Sequence, residues 1–310
     1  MGDNARFDKI LGEIDQNVSL ATVDLAARKR VLRQIEKLDP EKERRVAVYY
    51  CAREQSMSQH DVLPFVNMLK SIGVTSNLDL VIVCPGGDGT AAETMLDLCR
   101  KYCRDTLRVV VPLYAKSAAT LLALGADEIV MGETSELGPI DAQVYIIQDN
   151  QPQQVSADHF LRARDAAIGQ LGSLDDGAKE AARIHLAMLS PAFLKTCEDL
   201  MNFAREFAGK QLKKHMFRHE YQENSTEWER RVQKIVDNLT SSSRHLLHGR
   251  MITAADLRAD EDLQHLKVSA LPSEDPYWVL LNELAIRTGI VMTKNQIGKT
   301  VFARDFELFG

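Results

Sequence analysis

The chain has 310 residues, 45% of them apolar, 26% charged and 6% aromatic, so Leu, Ala, Val and Ile must fill a globular core. Its net charge of −6 argues against a nucleic-acid groove as the main function. No window approaches the roughly 18 unbroken apolar residues of a membrane span.

Residues 1–45 carry apolar side chains at near-helical spacing: Leu11, Ile14, Val18 and Leu20, then Leu25, Ala26, Val31, Leu32, Ile35 and Leu38. The opening MGDNARFD has acids and no apolar core, so no secretory leader is expected. Arg6 stands where a myristoylation signal wants Ser or Thr. Asp39-Pro40 breaks the second helical run. Arg45 to Cys51 reads as a strand. Ser58 to Ile72 reads as a helix that Gly73 stops. Leu78 to Cys84 is a buried-type strand running into Pro85-Gly86-Gly87-Asp88-Gly89. A helix from Ala91 to Cys103, a strand from Arg108 to Leu113, a small-residue helix from Ser117 to Leu124 and a strand from Asp127 to Gly132 follow. Strands that alternate with helices, and that are β-branched without alternation, predict a parallel sheet covered on both sides.

Beyond Val144 the order is looser. Gln148 to Gln154 reads as a polar loop. Residues 157–171 and 178–208 read as helices, and Ser190-Pro191 is a further helix start. Residues 209–235 are charged. Ser241 to Arg250 runs through a helix end to Gly249, and Thr253 is an N-cap. Pro276 to Thr288 is a last helix, and Ile290 to Phe302 has a hairpin pattern with its turn near Asn295–Gly298. The cysteines Cys51, Cys84, Cys99, Cys103 and Cys197 are odd in number and form no CxxC pair. Reduced thiols in a cytoplasmic protein are expected. His215 and His219 lie four apart, but Lys213, Lys214 and Arg218 beside them repel cations, so a solvated face is expected rather than a metal site.

Two places carry chemistry. Glycines directly after a strand let the backbone approach a ligand and point amides at an oxyanion. The G-G-x-G spacing fits neither a dinucleotide loop nor a Walker loop. Ser117 stands where a strand gives way to an alanine-rich helix, which suits a nucleophile beside backbone N–H donors. Taken singly, the glycine loop also reads as an ordinary turn and Ser117 as a cap or packing residue.

Together, Pro-Gly-Gly, then Lys116-Ser117-Ala118-Ala119, GADEIVM and SELGPID (Ser135 to Asp141) resemble the crotonase-like serine proteases. They are most similar to the serine dehydrogenase proteinase family, a relative of signal peptide peptidase A and the Clp protease proteolytic subunit. The resemblance runs from about Arg45 to Gln143 and is weaker at His248 to Thr253. It implies an α/β crotonase-like fold with flanking helices, and helical additions at both termini. The expected division is residues 1–44 as a helical extension, 45–272 as the protease domain and 273–310 as a helix and hairpin extension.

The resemblance makes Ser117 the nucleophile, with oxyanion amides from Gly86 or Gly87 and from Ala118. Where the Clp subunit has its histidine this sequence holds Asp141, and near the later aspartate it holds His248. The two roles are therefore expected to have exchanged places, giving Ser117–His248–Asp141. His245 is the nearest substitute. A lysine base, as in signal peptide peptidases, is the rival, with Lys179 and Lys195 available; the side chain of Lys116 should point elsewhere. No cofactor or metal is implied. The expected partners are a peptide or protein substrate and further copies of the chain in a homo-oligomer; the terminal helices are candidates for that assembly or for a partner protein. The departure at Asp141 leaves open a catalytically silent scaffold. An acyl-CoA thioester enzyme would use the same oxyanion geometry, but Lys-Ser-Ala-Ala favours hydrolysis.

Overall fold

A computed structural model describes residues 20–39, 42–148, 150–245 and 247–309. The helical expectation at Leu11, Ile14 and Val18 lies outside them. In chain order the first half holds α1 (Leu20–Lys37), β1 (Arg44–Cys51), α2 (Val62–Ile72), β2 (Thr75–Val83), α3 (Gly89–Tyr102), β3 (Cys103–Val111), β4 (Tyr114–Ala115), α4 (Ala118–Leu124), β5 (Glu128–Met131) and β6 (Glu136–Leu137). The second half holds β7 (Gln143–Gln148), β8 (Gln151–Ser156), α5 (Ala157–Gln170), α6 (Asp176–Met188), α7 (Pro191–Gln211), α8 (Arg218–Glu223), α9 (Ser225–Thr240), α10 (Ser242–His245), α11 (Ala254–Ala259), β9 (Val268–Ala270), α12 (Pro276–Asn295), β10 (Lys299–Ala303) and β11 (Phe306–Phe309).

Seven strands form one sheet in the order β11-β10-β1-β2-β3-β5-β9. The strands from β1 to β9 in that order pair in parallel, and β10 and β11 add an antiparallel edge. Side chains alternate across a strand, so β1 sends Ala47, Tyr49 and Cys51 to one face and Val46 and Val48 to the other. Both sets are buried, which is why the strand reads as an unbroken apolar run. On the first face the sheet packs against α2, α3 and α4, and Phe207 of α7 and Ile235 of α9 join that core. On the second, Val31, Leu32 and Ile35 of α1 and Trp278, Leu281 and Leu284 of α12 cover Val48, Val81 and Val110. Helices α1 and α12 thus pack together on one face of the sheet.

A buried carboxylate ties that second face together. Asp79 of β2 accepts from Arg44 Nη1 at 2.6 Å and from Arg108 Nε and Nη2 at 2.8 and 2.7 Å, and Tyr277 Oη donates to it from α12. Several partners make such a buried charge tolerable, and losing one would leave it under-compensated.

Four readings differ from the fold. Gln148 and Gln151 to Gln154, expected in a loop, are strand residues of the β7–β8 hairpin. Its outer strand, Gln151 to Gln154, is solvent-exposed on both faces, so it has no apolar alternation to reveal it. Helix α12 continues to Asn295, and the terminal hairpin turns at Arg304-Asp305 instead. Cys103 opens β3 rather than closing a helix. The expected helix over 178–208 is two, α6 and α7, separated at Ser190, which caps α7 by accepting from the Phe193 amide.

Candidate active site

The serine side of the site is assembled at the carboxyl ends of β2 and β3, where open parallel sheets present their ligand crevices. Cys84, Pro85, Gly86 and Gly87 follow β2. Gly86 and Gly87 have φ of +116° and +136°, a region that disfavours side chains. Space excludes them too. A Cβ on Gly86 would lie 2.7 Å from Ser117 Cβ, and one on Gly87 would lie 2.3 Å from the Met57 carbonyl oxygen. Met57, just beyond β1, pins the loop: its amide donates to the Gly86 carbonyl at 2.7 Å and its carbonyl accepts from the Asp88 amide at 2.9 Å. Asp88 then caps α3 through the Thr90 and Ala91 amides.

The Gly86 amide contacts Cys84 Sγ at 3.4 Å. Among the described residues the amides of Gly87 and Ala118 have no hydrogen-bond partner.

Ser117 has φ 52° and ψ −117°, and its hydroxyl makes no capping hydrogen bond to α4. A non-glycine residue in that region costs about 1–3 kcal/mol and persists only where its surroundings over-determine it. Here the surroundings are a wholly buried helix. Every residue of α4 is buried, the Leu121 amide donates to the Ser117 carbonyl at 2.9 Å, and Thr120 Oγ1 donates to the Ala115 and Gly138 carbonyls. The reading of Ser117 as a side-chain cap does not describe it. A sharp, strained strand-to-helix turn is how a nucleophilic serine is presented even without a G-x-S-x-G sequence.

The histidine side comes from distant segments. Asp141, 2% exposed, lies beyond β6, and His248 lies in the turn after α10. His248 Nδ1 is 2.7 Å from Asp141 Oδ1. Asp141 Oδ2 accepts from Gln143 Nε2 at 2.8 Å. Burial alone would raise the Asp141 carboxyl pKa; the hydrogen bond and charge of His248, together with smaller hydrogen bonds, hold it below its ordinary value of 3.8. With Nδ1–H directed to the carboxylate, the imidazole offers Nε2 as a proton acceptor. The Leu137 and Ile252 backbones exchange two 3.0 Å hydrogen bonds and bring the chain after His248 back to β6.

Ser117, Ala118, Gly87 and His248 line one cleft of about 770 Å³. Its apolar lining comes from Met57, Leu121, Ile140 and, on α7, Leu200 and Phe203. No lysine lines this cleft among the described residues. Lys179 is paired with Asp176, and Lys195 with Asp199, whose hydrogen bond pushes the Lys195 pKa up, away from a neutral amine. Lys116 points away from the cleft, to Glu136 and the Gly249 carbonyl. His245 is buried on the Asn238 carbonyl at 3.0 Å, and burial lowers its pKa. His215 is partly buried rather than fully solvated; burial, then Arg100 and Lys214, pull its pKa down to about 4. Among the described residues no cluster of His, Cys, Asp or Glu is arranged to hold a metal ion, and no helix is long and apolar enough to cross a membrane.

The sequence reading missed the clamp from Met57, the Gln143 contact to Asp141 and the role of Cys84 under the glycine loop. The first is a backbone contact that leaves no residue-type signature, and the last is a thiol contact two residues along the chain. Gln143 was within view, two residues after Asp141.

Residues 20–156 match the family described as ClpP-like SDH-type serine proteinase. The chain is similar to the uncharacterized proteins MJ0137 and MJ1495 of Methanocaldococcus jannaschii, at 45% identity over 67 residues and 38% over 80. Those matches cover 22% and 25% of this chain and about a quarter of the relatives' own length, 23% and 27%. Among solved structures, the chain is similar to the 1510-N membrane-bound stomatin-specific protease. A serine-to-alanine mutant of it gives a TM-score of 0.30 at 15% identity, covering 45% of this chain and 67% of that one. A lysine-to-alanine mutant in complex with a substrate peptide gives 0.34 at 10%, covering 79% and 97%. The mostly parallel sheet with flanking helices, in a chain whose residues 20–156 match this family, fits the ClpP-like α/β fold that the sequence motifs implied.

Proposed function

We propose, on the premise that the segment 20–156 belongs to the ClpP-like SDH-type serine proteinases, that this chain hydrolyses peptide bonds with Ser117 as its nucleophile. The observation that carries the reading is the conformation of Ser117. It holds a strained positive φ at the head of a buried helix, with its hydroxyl free of capping, in a cleft shared with a carboxylate-bound histidine.

In this reading Ser117 Oγ attacks the scissile carbonyl carbon while its proton passes to His248 Nε2. The carbonyl oxygen becomes an oxyanion held by the Gly87 and Ala118 amides, whose hydrogen-bonding capacity is otherwise unused. Gly86 serves by its missing side chain rather than by its amide. Asp141 keeps the imidazole oriented and stabilises the imidazolium. Collapse breaks the C–N bond, His248 returns the proton to the leaving amine, and water, deprotonated by the same imidazole, releases the acyl group. The cleft lining supports an extended peptide with an apolar side chain near the serine.

The reading includes a homo-oligomer in the cytoplasm. Exposed Tyr145, Ile147, Ile184 and Met188 support the first, and five buried, unbridged cysteines support the second. An alkyl fluorophosphonate tests the chemistry: the folded chain should be labelled, and Ser117→Ala should not. Labelling that survives in Ser117→Ala would put the nucleophile elsewhere, and a folded wild-type chain that never labels would sink the hydrolase reading.

A further inference from the structure

We infer that Lys116 is a positioning residue, whose ammonium ties the turn carrying His248 to the loop carrying Ser117. The inference rests on the Ser117–His248–Asp141 reading. Lys116 immediately precedes the serine, and its backbone is locked: its amide donates to the Cys84 carbonyl at 3.0 Å and its carbonyl accepts from the Ala119 amide at 2.9 Å. Its side chain leaves the cleft by crossing Gly138, where a Cβ would lie 3.0 Å from Lys116 Cβ. The ammonium then sits 2.8 Å from Glu136 Oε2 and donates to the Gly249 carbonyl at 2.9 Å. The side chain is only 15% exposed.

The three segments this cation joins are the three that carry the proposed triad. Lys116 is covalently next to Ser117, Gly249 is next to His248, and Glu136 begins the stretch that reaches Asp141. The turn needs such a tie. Its own hydrogen bonds, Leu247 amide to His245 carbonyl and Arg250 amide to Leu247 carbonyl, are local and hold it to nothing across the cleft. Among the described residues, the hydrogen bonds that reach residues 247–250 from elsewhere in the fold are Asp141 to His248 and Lys116 to Gly249. One bond alone would leave the imidazole free to pivot about Nδ1. The second, charge-assisted and pre-oriented by Glu136, fixes the turn relative to the serine loop. A displacement of about 1 Å in a reacting group costs on the order of a hundred-fold in rate.

The test uses the full chain and the alkyl fluorophosphonate. Lys116→Met keeps the unbranched stem of the side chain and removes its ammonium. Its maximal labelling rate should fall about a hundred-fold, with the half-saturating probe concentration nearly unchanged. Lys116→Arg, which restores a cationic donor, should recover part of the rate. The acidic limb of the rate–pH profile should remain in Lys116→Met, whereas a lysine acting as the base would take that limb away. If Lys116→Met does not fold, Glu136→Gln serves, with a smaller loss of the same kind expected. A wild-type rate in either variant while His248→Ala stays unlabelled overturns this inference alone. Wild-type labelling of His248→Ala overturns the triad reading beneath it. A loss spread equally over rate and probe affinity, without rescue by arginine, marks a packing role and also overturns the inference.

Discussion

Residues 84–118 and the turn at His248 meet at one cleft, yet they are held there in different ways. The first region is fixed by backbone: adjacent strand ends, two glycines at positive φ, the Met57 clamp and a buried helix behind Ser117. The second is fixed largely by side chains: the Asp141–His248 hydrogen bond and the reach of Lys116, with one backbone pair between Leu137 and Ile252. Backbone restraints are rigid and fail abruptly. Side-chain restraints can be removed one at a time, whereas a change in the backbone half moves the serine loop as a whole.

The largest expected effect tests that contrast directly. Ser117→Ala and His248→Ala should each cost up to about 10⁶-fold in peptide hydrolysis, and the double variant should cost little more, because residues that act as a unit are not additive. Additive losses, measured on one peptide substrate, would separate the two halves. Asp141→Asn should fall short of both, at about 10⁴-fold, since the imidazole remains but loses its orientation and its tautomer. An asparagine variant as inactive as His248→Ala would place Asp141 in the reaction itself.

Gly86→Ala probes the backbone half. The new Cβ would sit 2.7 Å from Ser117 Cβ and 2.9 Å from the Lys116 carbonyl oxygen, at φ +116°. Labelling should drop about a hundred-fold through displacement of the serine, and denaturant midpoints should show a loss of at least ~1 kcal/mol. Wild-type labelling in this variant would show that the glycine loop yields more readily than its packing suggests.

The smallest effect belongs to the side-chain half and concerns acid. The Asp141 carboxyl is held below 3.8 in the folded chain. Its contribution to stability is therefore complete above about pH 5 and is lost as pH falls through the ordinary and then the depressed value. Asp141→Asn should flatten the decline of stability across that acid window. Equal slopes in the variant and the wild type, from urea midpoints taken pH by pH, would mean that the His248 pair adds nothing to folding.

How far the chain could be read before its structure follows the same division. Unbroken apolar strands alternating with helices point to a parallel sheet, because both faces must be covered. Pro85-Gly86-Gly87 and Lys116-Ser117-Ala118 mark the edge that holds the candidate site, because a tight turn after a strand favours glycine and small residues there. These are local demands, written in neighbouring residues. Tertiary structure alone decided that Ser117 takes a positive φ without capping its helix, since the buried packing of α4 enforces that conformation. It decided that Gly86 gives space while the Gly87 amide stays unpartnered among the described residues, since Met57 approaches from beyond β1 and takes the Gly86 carbonyl and the Asp88 amide. It also set the distance of the Asp141–His248 pair, which the resemblance had implied, and turned Lys116 away from the cleft to the Gly249 carbonyl. Contacts between segments so distant in the chain depend on how every intervening helix packs, and no spacing in the sequence encodes their geometry.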